Sequence, residues 1–414
     1  MNVLWITNII MPEADKLLNS SGVLKSTGSW MVGLAENLIK KENVRLFIAT
    51  VSRRVNKMTK LQGEKIVYYI LPLRHYTECW DIVNREVNPN VIHLHGTEYP
   101  WGSSYVEQCG SNHVVLSIQG LLSAIYPHYC SGLTTTEIIK NLTLRTILRG
   151  GVFKGARNYK KQSDREIQLI RKINHIIGRT TWDKSHIWAI NPCANYHHCN
   201  EILRNDFYDG SLWDYNKCSK YTIFLSQASY PVKGLHQLLK AMPMVLQHFP
   251  DAHIRVAGLN VSDRSKGLMG LLKYSNYGRI VHTLIKKNML DEHISFTGPL
   301  DAERMKSEYL KSNVYICPSS IENSPNSLGE AQILGVPCVA AYVGGIPDMI
   351  PNMACGTMYR FEEIEMLAYA ICDVFNQTDF PNQSLMVDVA QNRHSPETII
   401  ETMMDIYKTV SEQC

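Results

Sequence analysis

One pattern, written twice, constrains this chain more than any other feature. Apolar runs of five to seven residues alternate with stretches of helical period. The first series holds VLWIT (3–7), VRLFIAT (44–50), KIVYYI (65–70), VIHLH (91–95), HVVLSI (113–118) and HIIGR (175–179). The second holds YTIFLS (221–226), HIRVAG (253–258), ISFTG (294–298), VYICPS (314–319) and PCVAA (337–341). Helical patterns such as WMVGLAENLIKK (30–41), GLHQLLKAMPMVLQHF (234–249) and DAERMKSEYLKSN (301–313) lie between the runs. Strands that alternate with helices need crossover connections, which predicts parallel sheets.

Two series predict an α/β chain of two Rossmann-like domains. At 414 residues the chain is also long for a single core. Residues 180–220 are rich in turn formers and have no clean period, so they read as the linker. The predicted spans are 1–205 and 206–394. A final segment, 395–414, holds the amphipathic stretch SPETIIETMMDIYKTV and packs back on the first domain. Ser395 suits its N-cap and Pro396 its first turn. Loops at the carboxyl ends of two such sheets, facing one cleft, would make a two-substrate site.

Composition narrows the class. With 45% hydrophobic and 19% charged residues the chain reads as globular. No apolar run approaches the roughly 18 residues that span a bilayer. MNVLWITNII has no basic leader or small-residue cleavage site and reads as a first strand, so a reducing cytoplasm is expected for the eleven cysteines. The segment CANYHHC (193–199) only loosely resembles a zinc site, and no second ligand pair has suitable spacing. Charge is divided: residues 1–205 carry 25 Lys+Arg and 15 Asp+Glu, and residues 206–414 carry 17 and 23. A basic half (+10) joined to an acidic half (−6) suggests separate tasks.

The richest stretch is IENSPNSLGEAQILGVP (321–337). Glu322 projects just past a strand, in a turn made by Asn323, Ser324, Pro325 and Asn326. SLGE is itself a capping box, with Ser327 as N-cap and Glu330 reaching back. The box accounts for Glu330 and leaves Glu322 without a structural duty. A helix N-terminus there suits a diphosphate, and a nearby carboxylate suits sugar or ribose hydroxyls.

Two glutamates in E-x7-E spacing, followed by LGVPCVAAYVGGIPDMI, resemble the retaining GT-B glycosyltransferases of family GT4 (glycosyl transferases group 1). The resemblance runs over nearly the whole chain and is most specific from Tyr221 to Ile350. It implies a nucleotide-sugar donor, no resident cofactor and no metal. It implies that Glu322 contacts the donor sugar and Glu330 the ribose. Asn323, Ser324, Asn326, Ser327 and Leu328 would surround the sugar and diphosphate, and Gly298 in FTGPL would border the nucleotide pocket. SQASYPVKGLHQLLKA (226–241) resembles the family's GR…KG loop, so Lys233 would neutralise the diphosphate. STGSW (26–30) resembles the family's first glycine loop, which makes Gly28 and Ser29 substrate contacts; an ordinary helix-preceding turn would also explain them.

The chain departs from the family in three places. ENSPN stands where the family often has EGFGL. Gln227 lies near the place of the usual arginine, with Arg179 as a candidate substitute and a salt bridge at the interdomain linker as its alternative. Gln119 stands near a customary histidine. A glutamine cannot be a general base, but it can hold a sugar hydroxyl, and the proton can leave on the departing phosphate. In VIHLHGTEYPWG (91–102), His93 and His95 read as packed core, and the family's similar HGTEYP segment, which faces the acceptor side, implies that Glu98 is an acceptor contact.

The stretch 140–172 holds ten Lys+Arg, two acidic residues and helically spaced Leu, Ile and Phe. It suits either an anionic membrane surface or a solvated face. Nucleic acid is disfavoured, because no reading module is present. The leading expectation is a sugar transferase acting on a glycan or lipid-linked acceptor in cell-surface polysaccharide or glycolipid synthesis. It would work in the cytoplasm, peripheral to the membrane. The alternatives are a nucleotide-sugar-binding protein without catalysis, or a nucleotide-sugar epimerase.

Overall fold

The structure is a computed structural model. It describes residues 1–18, 29–263, 270 and 274–412, with the side chains of Ser29 and Trp30 left out. Gly28 lies outside the described residues, and Ser29 is seen only as the first backbone position of helix Ser29–Leu38.

The chain divides into two compact units. Unit 1 comprises Met1–Ser123, Lys161–Arg204 and His394–Cys414, and unit 2 comprises Ala124–Lys160 and Asn205–Arg393. Unit 1 is built on eight strands: β1 (Asn2–Thr7), β2 (Arg45–Ser52), β3 (Thr59–Gln62), β4 (Ile66–Pro72), β5 (Val91–His95), β6 (Val114–Ser117), β7 (His175–Gly178) and β8 (Asn195–His198). Their order is β3-β4-β2-β1-β5-β6-β7-β8. Every pairing is parallel except β3 with β4. The central strands read as continuous apolar runs because both faces of a parallel sheet are covered. Val3, Leu4 and Trp5 on β1 are fully buried.

Unit 2 has six strands: β9 (Ser219–Leu225), β10 (His253–Val256), β11 (Ile294–Phe296), β12 (Ser312–Cys317), β13 (Cys338–Ala341) and β14 (Thr357–Tyr359). All are parallel, in the order β11-β10-β9-β12-β13-β14. Each sheet therefore has a point where the strand order runs outward in both directions. It lies between β1 and β5 in unit 1 and between β9 and β12 in unit 2. In open α/β sheets the carboxyl side of such a point is the usual ligand position.

Two expectations need correction. Residues 124–160 fall in unit 2 rather than in a first domain spanning 1–205. The reason is burial: Ile138 and Val152 insert into the core that holds Ile223, Leu238 and Tyr277. Residues 180–220 are not wholly a linker. Thr180 and Asp183 form a capping box on helix Thr181–Ile190, and NYHH becomes β8. β8 is a short edge strand, so it carries no apolar run to announce it. The antiparallel edge strand β3 was missed for the same reason.

The final helix, Pro396–Glu412, is part of unit 1. The Ser395 hydroxyl caps it by accepting from the Thr398 amide at 3.3 Å. Its Tyr407 is buried, accepts from Trp5 Nε1 at 2.9 Å and lies 2.7 Å from His93 Nδ1.

Candidate functional site

In unit 2 the polypeptide leaves β9, makes the short turn Pro231–Lys233 and enters helix Leu235–His248 through Gly234. Gly234 sits at φ +72°, and a Cβ there would lie 1.7 Å from the Pro318 carbonyl oxygen. The Lys233–Gly234 pair thus lets two backbones close on each other. That contact brings the end of β12 alongside, and Lys233 Nζ donates to Glu322 Oε1 at 2.6 Å. Ser319 Oγ donates to the same oxygen at 2.7 Å. The pair is mostly buried, with 19% and 13% of the two side chains exposed. Burial lowers the lysine pKa, but the Glu322 carboxylate, with Tyr230, more than offsets that and holds it above its usual value. Lys233 is therefore a fixed positive charge at the strand-order switch.

The backbone of Glu322 is pinned from its other side. Its carbonyl accepts from the Gly345 amide at 3.0 Å. Gly344, at φ +52°, passes so close that a Cβ would stand 1.9 Å from that carbonyl oxygen. The following helix begins at Asn326, with Pro325 at the N-cap. The capping box expected from SLGE does not form. Ser327 is inside the helix, and its hydroxyl lies 2.9 Å from Tyr315 Oη while its carbonyl accepts from Tyr309 Oη at 2.9 Å. Pro325 already fixes the entry conformation, so the serine is not needed there. Glu330 is buried, with Oε2 3.5 Å from Tyr309 Oη. Leu328 and Asn323 are also buried.

Ser324 accepts from Arg393 Nη2 at 3.2 Å. Arg393, Tyr309 and Tyr315 were missed from sequence: Arg393 reaches this loop from a distant segment, and the two tyrosines read as ordinary core of the preceding helix and strand. Gly298, at φ +75°, accepts from the Gly258 amide at 3.0 Å, and a Cβ on either would meet none of the described residues within 4 Å. The β10 and β11 ends are thus open, glycine-walled ground.

In unit 1 the loops after β1 and β5 set Asn8 Nδ2 3.0 Å from Glu98 Oε2. Burial, with Glu166 adding to it, pushes the Glu98 carboxyl up to about 7. Glu166 is fully buried and accepts from the amides of Leu122 and Ser123 at 3.0 and 2.9 Å, from Ser123 Oγ at 2.7 Å and from Thr97 Oγ1. It ties the loops after β5 and β6 together, which its place in a basic stretch gave no reason to expect.

Gln119 and Arg179 come together. Arg179 Nη2 donates to the Ile118 carbonyl and lies 3.4 Å from Gln119 Oε1, while Nη1 pairs with Glu201 at 2.8 Å. Glu201 lies in the stretch read as the linker, so this pair is the salt bridge expected there as the alternative role of Arg179. With His95, Ser117 and Asn200 these residues line a cavity of about 30 Å3, on the order of one water molecule. Burial, with the Arg179 charge, lowers His95 to about 3, so its imidazole is neutral. At the site read as a weak zinc motif, His197 Nε2 lies 2.9 Å from His175 Nδ1. Among the described residues no three His, Cys, Asp or Glu side chains converge as a metal set.

Residues 214–388 match the family model described as glycosyl transferases group 1. Over that stretch, which lies within unit 2, the chain is similar to that family. Curated relatives are distant. The phosphatidyl-myo-inositol mannosyltransferase of Mycobacterium tuberculosis is 23% identical over 203 residues, 48% of this chain and 49% of the relative. Spore coat protein SA of Bacillus subtilis is 27% identical over 162 residues, 39% of this chain and 40% of the relative. The chain thus spans about half the length, or less, of the curated relatives it matches. Solved structures match it end to end. Sucrose-phosphate synthase from Thermosynechococcus elongatus superposes with TM-score 0.71 at 14% identity, covering 99% of this chain and 98% of that one. Anabaena HepE, solved with UDP and glucose, gives 0.66 at 14% identity and covers both chains fully. At this identity the structures establish the GT-B fold.

Proposed function

We propose that this chain is a retaining, metal-independent group 1 glycosyltransferase that moves a sugar from a nucleotide-sugar donor to a hydroxyl of a glycan or lipid-linked acceptor. The observation that carries the reading is the Lys233–Glu322 pair at the strand-order switch of unit 2, beside the N-terminus of helix Asn326–Ile333. Lys233 and the backbone amides of Asn323, Ser324, Asn326 and Ser327, with the side chains of Ser324, Asn326 and Ser327, would hold the diphosphate, and Leu328 would border it. Glu322 would accept hydrogen bonds from donor-sugar hydroxyls, Glu330 from the ribose, and the open backbone at Gly298 would admit the base. The sugar C1–O bond breaks as the acceptor oxygen bonds C1 on the same face. The acceptor proton passes to the departing phosphate oxygen, and the electron pair leaves with the nucleoside diphosphate. Lys233 and the helix terminus stabilise that growing charge.

Unit 1 supplies the acceptor contacts in this reading, through Glu98, Arg179 as it positions Gln119, and the Gly28–Ser29 loop. Gln119 hydrogen-bonds a hydroxyl and moves no proton. Cell-surface polysaccharide or glycolipid synthesis at the inner face of a membrane is the setting that fits. The test is thermal stabilisation by a panel of nucleotides and nucleotide sugars, followed by turnover with the donor that shifts the melt most. A ligand bound by the folded state alone raises stability by mass action. The reading fails if no nucleotide shifts the melt, or if Lys233→Ala turns over like the parent.

A further inference from the structure

Large apolar side chains exposed singly are ordinary on a protein surface, but a cluster is not. Among the described residues eighteen are exposed, and six of them fall within residues 139–153: Ile139, Leu142, Leu144, Ile147, Leu148 and Phe153. Ile147 and Leu148 are the most open of the six, at 73% and 63%. Leu144, Ile147 and Leu148 share one face of helix Leu144–Arg149, at spacings i, i+3 and i+4.

The backbone under these side chains is anchored, so their exposure is built in. Within unit 2, Asn276 Nδ2 donates to the carbonyls of Ile138 and Asn141 at 3.1 and 2.7 Å. Thr143 Oγ1 donates to the Tyr274 carbonyl at 2.9 Å, and Arg279 Nη1 donates to the Leu142 carbonyl at 2.6 Å. Ile138 and Val152, at either end of the segment, are buried in the unit 2 core. The fold holds both ends and presents the apolar residues between them.

Charge says what covers the patch. Residues 138–161 carry seven Lys+Arg and no Asp or Glu. Lys140, Arg149, Lys154 and Arg157 are exposed around the apolar face. A second copy of this surface would bring like charges together. Nucleic acid would match the charge but leave the apolar side chains unused. We propose that segment 139–154 is a docking surface for an anionic lipid bilayer, with Ile147 and Leu148 entering the acyl boundary and the flanking cations at the headgroups. The contact is narrower than the basic stretch 140–172, because Glu166, Leu169 and Ile170 in its second half are buried in unit 1. It deepens the lipid-linked acceptor reading by naming a partner surface, yet it can be measured without sugar transfer.

The experiment is co-sedimentation of the full chain with phosphatidylcholine vesicles, with and without phosphatidylglycerol. The parent should bind only when phosphatidylglycerol is present, and more weakly as salt rises. Ile147→Asp with Leu148→Asp should weaken binding by at least about tenfold while keeping the parent melt and its nucleotide shift. Arg149→Gln and Lys154→Gln should each cost about fivefold, the equivalent of about 1 kcal/mol per cation near an anionic surface. A Leu148→Trp reporter should shift its emission to the blue on the same vesicles. The proposal is overturned if the parent does not bind phosphatidylglycerol vesicles, or if the double Asp variant binds as the parent does. It is also overturned if sedimentation velocity finds a dimer that the double Asp variant dissolves, or if duplex DNA retains both proteins equally and better than vesicles do. Failure of nucleotide binding with vesicle binding intact would count against the transferase reading alone.

Discussion

The same topological position is built twice in this chain and filled differently. At the strand-order switch of unit 2, Glu322 meets an ammonium, Lys233, at 2.6 Å. At the switch of unit 1, Glu98 meets a neutral amide, Asn8, at 3.0 Å. The first carboxylate has a paired countercharge and belongs to a fixed electrostatic frame. Among the described residues the second has no ion-pair partner, and burial pushes it up to about 7 against the weaker pull of the Arg179 charge. Two sheets of one architecture thus give a compensated charge pair and a carboxyl that titrates near neutrality. The fold supplies the position, and the residue opposite the acid decides its chemistry.

The largest effect should come from breaking the unit 2 pair. Lys233→Ala removes the charge proposed to stabilise the leaving diphosphate, and kcat/KM should fall by about 10^2 to 10^3. Glu322→Ala should lose a comparable factor while leaving Lys233 free to bind nucleotide. The melt shift given by a nucleoside diphosphate should therefore survive in Glu322→Ala and shrink in Lys233→Ala. Equal shifts in both variants would mean that the two residues do not divide the work this way. Gly344→Ala is next. Its Cβ would stand 1.9 Å from the Glu322 carbonyl oxygen, so the backbone carrying the acid must move. We expect about 2–4 kcal/mol of lost stability, read by denaturant titration, together with reduced turnover. A parent-like melt would show that this loop has slack and that Glu322 is not rigidly placed.

The two switches were unequally legible in the sequence. The unit 2 switch was readable because its residues lie in two local stretches, each directly after a strand. The Lys233–Gly234 dipeptide and the E-x7-E spacing survive as pattern even though they are 89 positions apart. What sequence could not show is how the helix starts: SLGE has the composition of a capping box, but Pro325 already fixes the entry and Ser327 turns to Tyr315. The unit 1 switch was less legible because its partners come from separate loops. Asn8 follows the first strand as an ordinary polar residue, and Glu166 looks like one acid in a basic stretch. Only folding brings Glu166 under Thr97 and Ser123. The assignment of 124–160 to unit 2 was invisible for a similar reason, since Ile138 and Val152 name no partner by themselves.

A smaller and pH-dependent effect tests the unit 1 acid. With its folded pKa near 7 and an ordinary value of 4.5, Glu98 binds a proton more tightly in the folded chain. Its contribution to stability is full below about pH 4.5 and is lost as pH rises through about 7. Glu98→Gln cannot ionise. The variant should therefore gain on the parent between those limits, by about 1–3 kcal/mol in all, and the difference should level off above them. Taking the difference between variant and parent cancels the other titrating groups. A difference that does not change with pH would show that folding leaves the Glu98 pKa unshifted, and the effect of burial on it would be refuted.

The smallest effect comes from writing the unit 2 arrangement into unit 1. Asn8→Lys places an ammonium on the residue whose amide already reaches Glu98 Oε2. An opposite charge at that range lowers a carboxyl pKa by about 1–3 units, against the burial that raises it. The pH window in which Glu98 erodes stability should then move down by about one unit and shrink, worth about 1 kcal/mol at neutral pH. Adding Glu98→Gln to Asn8→Lys should remove that gain, because the new lysine would have lost its partner. If Asn8→Lys leaves the window near 7, burial rather than the missing countercharge separates the two switches, and solvent access would then be the variable that distinguishes Glu98 from Glu322.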